Sequence, residues 1–270
     1  MTEPRRPIAF VLASTNHGAM ILNRLDVRMT SATEGYGVGF NLLNSSEFDR
    51  VEARNIIALL ETRRKHFGDG VHVLDIGANI GAFTLEWARH MTDWGTVLAV
   101  EAQERVFYAL AGNLALNNCF NARAIWAAAA AQPGMMRMPA PDYRVAGSFG
   151  SLELRQSENT ENIGQPIDYR DEAMTGVATI SIDSLHCNRV DLIKIDVEGM
   201  ELEVLEGARH TIARDLPILF VEYIKSPQGS LGDFIDEYGY QKFVMGLNLL
   251  AVHPSDPTLP FLLSQTSQSP

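Results

Sequence analysis

Val71-His72-Val73-Leu74-Asp75-Ile76-Gly77-Ala78-Asn79-Ile80-Gly81-Ala82-Phe83-Thr84 opens a unit that closes with Thr96-Val97-Leu98-Ala99-Val100-Glu101. An apolar run ending in Asp, a glycine turn, an amphipathic run and a second apolar run ending in Glu predict one β-α-β unit. In open α/β sheets such a unit sets the glycine turn at the carboxyl end of a buried strand, where ligands bind. Glu101 then ends the neighbouring strand, placed to accept two ribose hydroxyls. The nucleoside half of a cofactor is the first expectation.

Glycine spacing separates the cofactors. A dinucleotide fingerprint reads G-x-G-x-x-G, because a pyrophosphate must lie against the helix N-terminus. Here the glycines are Gly77 and Gly81, and Asn79 stands where the second fingerprint glycine belongs. D-x-G-x-N-x-G resembles instead the first motif of class I S-adenosylmethionine (SAM) methyltransferases. That resemblance implies a cofactor with a sulfonium and an amino-acid tail, held by Asp75, Gly77, Ala78, Asn79, Gly81 and Glu101. By itself, a glycine turn also fits any tight strand–helix junction.

A second landmark lies downstream. Val190-Asp191-Leu192-Ile193-Lys194-Ile195-Asp196-Val197-Glu198-Gly199-Met200-Glu201-Leu202-Glu203-Val204-Leu205-Glu206-Gly207-Ala208 is another strand, turn and helix, with acids at the turn. Paired with the Asp75–Gly81 turn, it is similar to the FkbM family of methyltransferases, over roughly Val71 to Glu222. The resemblance implies SAM as cofactor and methyl transfer as reaction; it does not identify the acceptor, for which a hydroxyl of a sugar, glycan or small metabolite is the expectation. It implies an α/β fold: a Rossmann-like, mostly parallel seven-stranded sheet with helices on both faces and a C-terminal antiparallel hairpin.

The formal charge of the 270 residues is −11, and no basic run exceeds Arg63-Arg64-Lys65. Nucleic-acid binding rests on Lys and Arg neutralising phosphates, so no nucleic-acid partner is expected. Cys119 and Cys187 lie far apart without a C-x-x-C partner, which argues against a disulfide framework and fits a reducing compartment. No apolar run reaches membrane-spanning length, and Ile8–Leu12 is short for a signal-peptide core. A cytoplasmic protein is expected; the oligomeric state stays open.

Residues 1–66 read as an extension capping the site: a strand near Ile8–Leu12, a second run at Met20–Leu22, a bent strand or hairpin around Gly35, Gly37 and Gly39, and a helix from Ser46 to about Lys65. Residues 67–253 read as the methyltransferase domain. Gln103–Asn118 is helical and Arg123–Ala130 is the third strand, where Ala128 or Ala127 lets an adenine ring pack closely, or serves helix–sheet packing. Residues 140–176 form a polar insertion, and its Gly147–Leu152 segment is assigned to the acceptor side. Residues 254–270 read as a loose tail.

A hydroxyl acceptor must lose a proton, so a general base within hydrogen-bond reach is useful. Asp196, Glu198 and Glu222 end neighbouring strands or turns and are the catalytic candidates, with Asp196 also a candidate for the cofactor's ammonium. Glu198 can equally cap the following helix, and Glu201, Glu203 and Glu206 read as its solvated face. Lys194, in a buried strand, needs an acid as partner. His17, Glu47 and His253 are weaker candidates. Carboxylates would suit magnesium or calcium, but no dedicated ligand pattern is present and no metal is assigned. Alternatives are a non-catalytic SAM-binding module, a nucleotide-dependent dehydrogenase, and a methyltransferase acting on nitrogen or nucleic acid.

Overall fold

The computed structural model describes residues 8–226 and 228–266. A hairpin of β1 (Phe10–Thr15) and β2 (Gly18–Asn23) leads to a two-rung ladder of β3 (Arg28–Met29) and β4 (Gly35–Tyr36). Helices α1 (Val38–Ser45) and α2 (Arg50–Phe67) follow. The single helix expected from Ser46 is therefore two. Ser46 closes α1 and Asp49 precedes α2, both with left-handed backbone at φ 61° and 46°. Gly39 sits inside α1 for a close approach, since a Cβ there would stand 2.2 Å from the Asn23 carbonyl oxygen. Its glycine was needed by packing, which a turn-based reading of the sequence cannot distinguish from a bend.

The β-α-β run is β5 (Val71–Ile76), α3 (Ala82–His90), β6 (Gly95–Glu101), α4 (Glu104–Leu116) and β7 (Ala122–Trp126). The expected third strand leaves the central sheet at Ala127. β8 (Ala128–Ala129) joins a side sheet with β9 (Gly134–Met138) and β10 (Thr175–Ile180), in the order β8-β10-β9. The chain then returns through β11 (Leu192–Ile195), α5 (Glu201–Glu206), α6 (Arg209–Asp215), β12 (Ile218–Glu222), α7 (Gln228–Glu237), β13 (Gln241–Met245), β14 (Asn248–Val252) and α8 (Thr258–Thr266).

The seven-stranded sheet runs β13-β14-β12-β11-β5-β6-β7, parallel from β12 to β7 and antiparallel at β14 and β13. Its central strands are covered on both faces, which is why they read as near-continuous apolar runs. Val73, Val97 and Phe220 pack toward Leu60, Trp87 and Leu110 of α2, α3 and α4. Leu74, Val100 and Ile195 pack toward Val204, Ile212 and Ile235 of α5, α6 and α7. Alternation along each strand splits the core into these two layers.

The β1–β2 hairpin of the extension docks on this sheet through α4. Asn113 accepts from Ile21 N at 2.6 Å and donates to the carbonyls of Ile21 and Ile80 at 3.1 and 2.8 Å. The residues expected as a loose tail are partly a helix: α8 packs on α2, Leu259 is buried, and buried Asp256 pairs with Arg63. Among the described residues no helix is long and apolar enough to cross a membrane.

Candidate active site

At the carboxyl ends of β5, β6, β11 and β12 a cavity of about 580 Å³ opens, within the range of small-molecule sites. Gly77 holds φ 76°, and a Cβ on it would lie 1.7 Å from the Asp196 carbonyl oxygen. The glycine lets the β5 turn press against the end of β11. Beyond it the chain lifts through Ala78 and left-handed Asn79 into α3.

Glu101 ends β6 and reaches the cavity wall nearly enclosed. Its Oε2 accepts from Asn79 N at 3.0 Å and its Oε1 from Gln103 N at 2.8 Å. Burial pushes its carboxyl up to about 7, against the pull of those two amides. Each oxygen keeps a lone pair for a hydroxyl donor. Beside it Ala128, Leu152, Leu154 and Met200 form an apolar slot in the same wall.

The loop from Ser148 to Ile163 supplies that slot. Ser148 N donates to the Ile163 carbonyl at 2.7 Å, closing the neck of an Ω-type loop. Gln103 Nε2 donates to the Phe149 carbonyl at 2.8 Å, and Gly150 lies over the Asn79 side chain. Gly147–Leu152 therefore lines the cavity from the Asn79 side, and its Ser151 carbonyl accepts from Lys225, the partner of Glu198. The polar sequence concealed four buried apolar anchors, Phe149, Leu152, Leu154 and Ile163.

The opposite end is acidic. Asp196, Glu198 and Glu222 each place a carboxylate oxygen within 4.8 Å of the others. Burial pushes Glu222 up to about 8, reinforced by Asp196. Burial also raises Glu198, although Lys225 opposes it. Lys194 lies beneath, 3.5 Å from Asp75 Oδ1 and 3.3 Å from Asp196 Oδ2, the ion pair its burial demanded. Asp196 and Asp75 hold its ammonium above the ordinary lysine value despite burial. The extension contributes Asp49 and Glu52 of the α2 start to this end, with Asn248 of β14 donating to Glu52 at 3.2 Å.

Gly77, Ala78, Asn79, Glu101, Ala128, Asp196, Glu198 and Glu222 thus share one cavity. Asp75 and Gly81 are not among its lining residues. Asp75 is fully buried, accepting from Thr84 Oγ1 at 2.5 Å, and Gly81 packs against Leu110 of α4. Both shape the turn from behind. Glu201 is no solvated helix residue: fully buried, it accepts the amides of Val197 and Gly199 at 3.1 and 3.0 Å and so fastens the turn carrying Glu198. His17 is buried between Phe48 N and Glu86, and His253 contacts Ser255; neither lines the cavity. The sequence reading missed Tyr36, Gln103, Glu161 and Lys225 as cavity residues: Glu161 and Lys225 come from segments with no periodicity or motif, and the patterns around Tyr36 and Gln103 mark elements but not what those side chains face.

A model of the FkbM methyltransferase domain matches residues 75–242. Methyltransferase 1 of Beauveria bassiana is 27% identical over 151 residues, 52% of this chain and 59% of that protein. The chain thus spans less than two thirds of that curated relative. Among solved structures, the FkbM methyltransferase of Methylobacillus flagellatus KT aligns with TM-score 0.48 and 17% identity, over 68% of this chain and 44% of that one. A putative caffeoyl-CoA O-methyltransferase of Staphylococcus aureus aligns with TM-score 0.47 and 12% identity, over 79% and 88%.

Proposed function

The chain belongs to the FkbM methyltransferase family, and from that premise we propose that it moves a methyl group from SAM to a hydroxyl oxygen of a sugar, glycan or small metabolite. The observation that carries the reading is one cavity with two unlike ends, an apolar slot beside Glu101 and a carboxylate cluster at Glu222. The residues present fit SAM. Glu101 has free lone pairs for the ribose hydroxyls, Ala128 and Met200 face an apolar slot, and the acids suit a cation with no phosphate. Bound there, SAM supplies an electrophilic methyl group on sulfur.

The chain's own residues would do the rest. Gly77, Ala78 and Asn79 shape the floor, and Glu101 orients the nucleoside. Asp196, at the carboxylate end, suits the cofactor's ammonium or the acceptor. The extension closes one side through Tyr36, Asn41, Phe48, Asp49 and Glu52, which supports reading it as a cap. Enclosure by these walls would hold acceptor and methyl in reacting geometry and exclude water.

Calorimetric titration with SAM, S-adenosylhomocysteine (SAH) and NAD tests the reading. SAM and SAH are expected to bind and NAD not to. Glu101→Ala is expected to weaken both by about tenfold or more, the loss of charge-assisted hydrogen bonds worth ~1.5–3 kcal/mol. Unchanged affinity in that variant, or NAD binding without SAM binding, would refute the assignment.

A further inference from the structure

Three carboxylates meet at the strand tips, and two ammonium groups accompany them. Lys194 stands beside Asp196 at 3.3 Å, and Lys225 is paired with Glu198. Each lysine is itself anchored. Lys194 Nζ donates to the Gly77 carbonyl at 3.4 Å. Lys225 Nζ meets Glu161 at 2.9 Å and donates to the Ser151 carbonyl at 3.2 Å. Glu222 has no such companion. Its Oε2 is buried and meets no donor among the described residues, while β12 fixes its backbone between β11 and β14. A buried carboxyl oxygen without a donor disfavours the anion and keeps its proton.

We propose that Lys194 and Lys225 are positioning residues that engage Asp196 and Glu198, leaving Glu222, which has no ammonium partner among the described residues, to take the acceptor's proton. The proposal rests on the methyl-transfer reading above. In that transfer the acceptor oxygen bonds to the methyl carbon and the carbon–sulfur electron pair stays on sulfur. The hydroxyl proton passes to the Glu222 carboxylate, which lines the cavity, and leaves from there to solvent.

Glu222 must then be ionised when the acceptor arrives. Asp196 and Glu198 on the β11 turn and Glu201 on α5 hold its proton on, and Lys194 and Lys225 oppose them. Glu52 on α2 faces the same space beside Asn248, which pairs with Glu222 in the β12–β14 register. One more positive charge in the cavity tips this balance. A sulfonium brings that charge and a thioether does not, so the base is readied only by the loaded cofactor.

Calorimetry with SAM and with SAH, at pH 7 in two buffers of different ionisation enthalpy, counts the protons exchanged on binding. SAM is expected to release up to about one proton more than SAH, the titration of one group. Glu222→Gln should abolish that difference and Glu198→Gln should keep it. Lys225→Met should enlarge it, because Glu198 then loses the ammonium that opposes its protonation, and Lys225→Arg should restore the parent value. A difference that survives Glu222→Gln, or that vanishes in Glu198→Gln, overturns the proposal while leaving the cofactor reading intact. Failure of both ligands to bind the parent chain removes that reading and the proposal with it.

Discussion

Gly77 and Glu201 explain the site at the residue scale. The D-x-G pattern marks Gly77 as a turn, yet its missing Cβ matters because Asp196, from a distant part of the chain, presses its carbonyl there. A side chain would push apart the two strand tips that the cavity needs. Gly77→Ala is therefore expected to cost ~2–4 kcal/mol of stability, as strain at a special backbone position does, and to lower SAM affinity with it. Urea unfolding and calorimetry read both, and a variant as stable as the parent would show that the turn can move aside. Glu201 was illegible for a related reason. It stands in an acidic run with Glu203 and Glu206 that reads as solvated, and only the fold brings the Val197 and Gly199 amides and Ser226 to its carboxylate.

Among the elements, the Ω-type loop and α1 are joined by one side chain. Asp26 Oδ2 accepts from Gly39 N and its Oδ1 from Phe149 N, both at 2.9 Å. Burial raises its carboxyl to about 6, against the pull of the Gly39, Phe149 and Val38 amides. Folding therefore favours the protonated form. The stabilising share is complete below the unfolded value near 3.8 and is lost as pH rises through about 6. Asp26→Asn cannot titrate, so the parent should lose up to ~3 kcal/mol relative to that variant between pH 4 and pH 6, at ~1.36 kcal/mol per unit. Urea midpoints of the two proteins across that window measure it, and parallel pH curves would contradict it. Helices and strands with clean periodicity, such as α4 and β5, could be read directly from sequence. The loop could not, because its apolar anchors are spaced by no regular element and are defined only by the slot they fill.

Across the whole molecule, the two ends of one sheet do different work. The carboxyl ends of β5, β6, β11 and β12 carry the cavity, which is why the strand–turn motifs exposed most of the site to a sequence reading. The other end carries a buried ion cluster that no motif announces. Arg63 of α2 meets Asp191 at 2.9 Å and pairs with Asp256, and Arg189 also reaches Asp191 at 2.8 Å. Three segments far apart in sequence are tied there, including the one leading into α8, so its ordering depends on partners that composition cannot supply. Removing the central cation leaves Asp256 buried and unpaired, while Asp191 keeps Arg189. Arg63→Met is therefore expected to cost ~3–5 kcal/mol, the penalty for breaking a buried pair from one side. Asp191 and Asp196 stand about 16 Å apart along β11 at ~3.3 Å per residue, so the folded variant should bind SAM as the parent does. Urea unfolding and calorimetry on the same preparation separate the two effects. A loss of SAM affinity matching the loss of stability would mean that the ends are mechanically coupled, and that the sheet is not the rigid partition between them inferred from its packing.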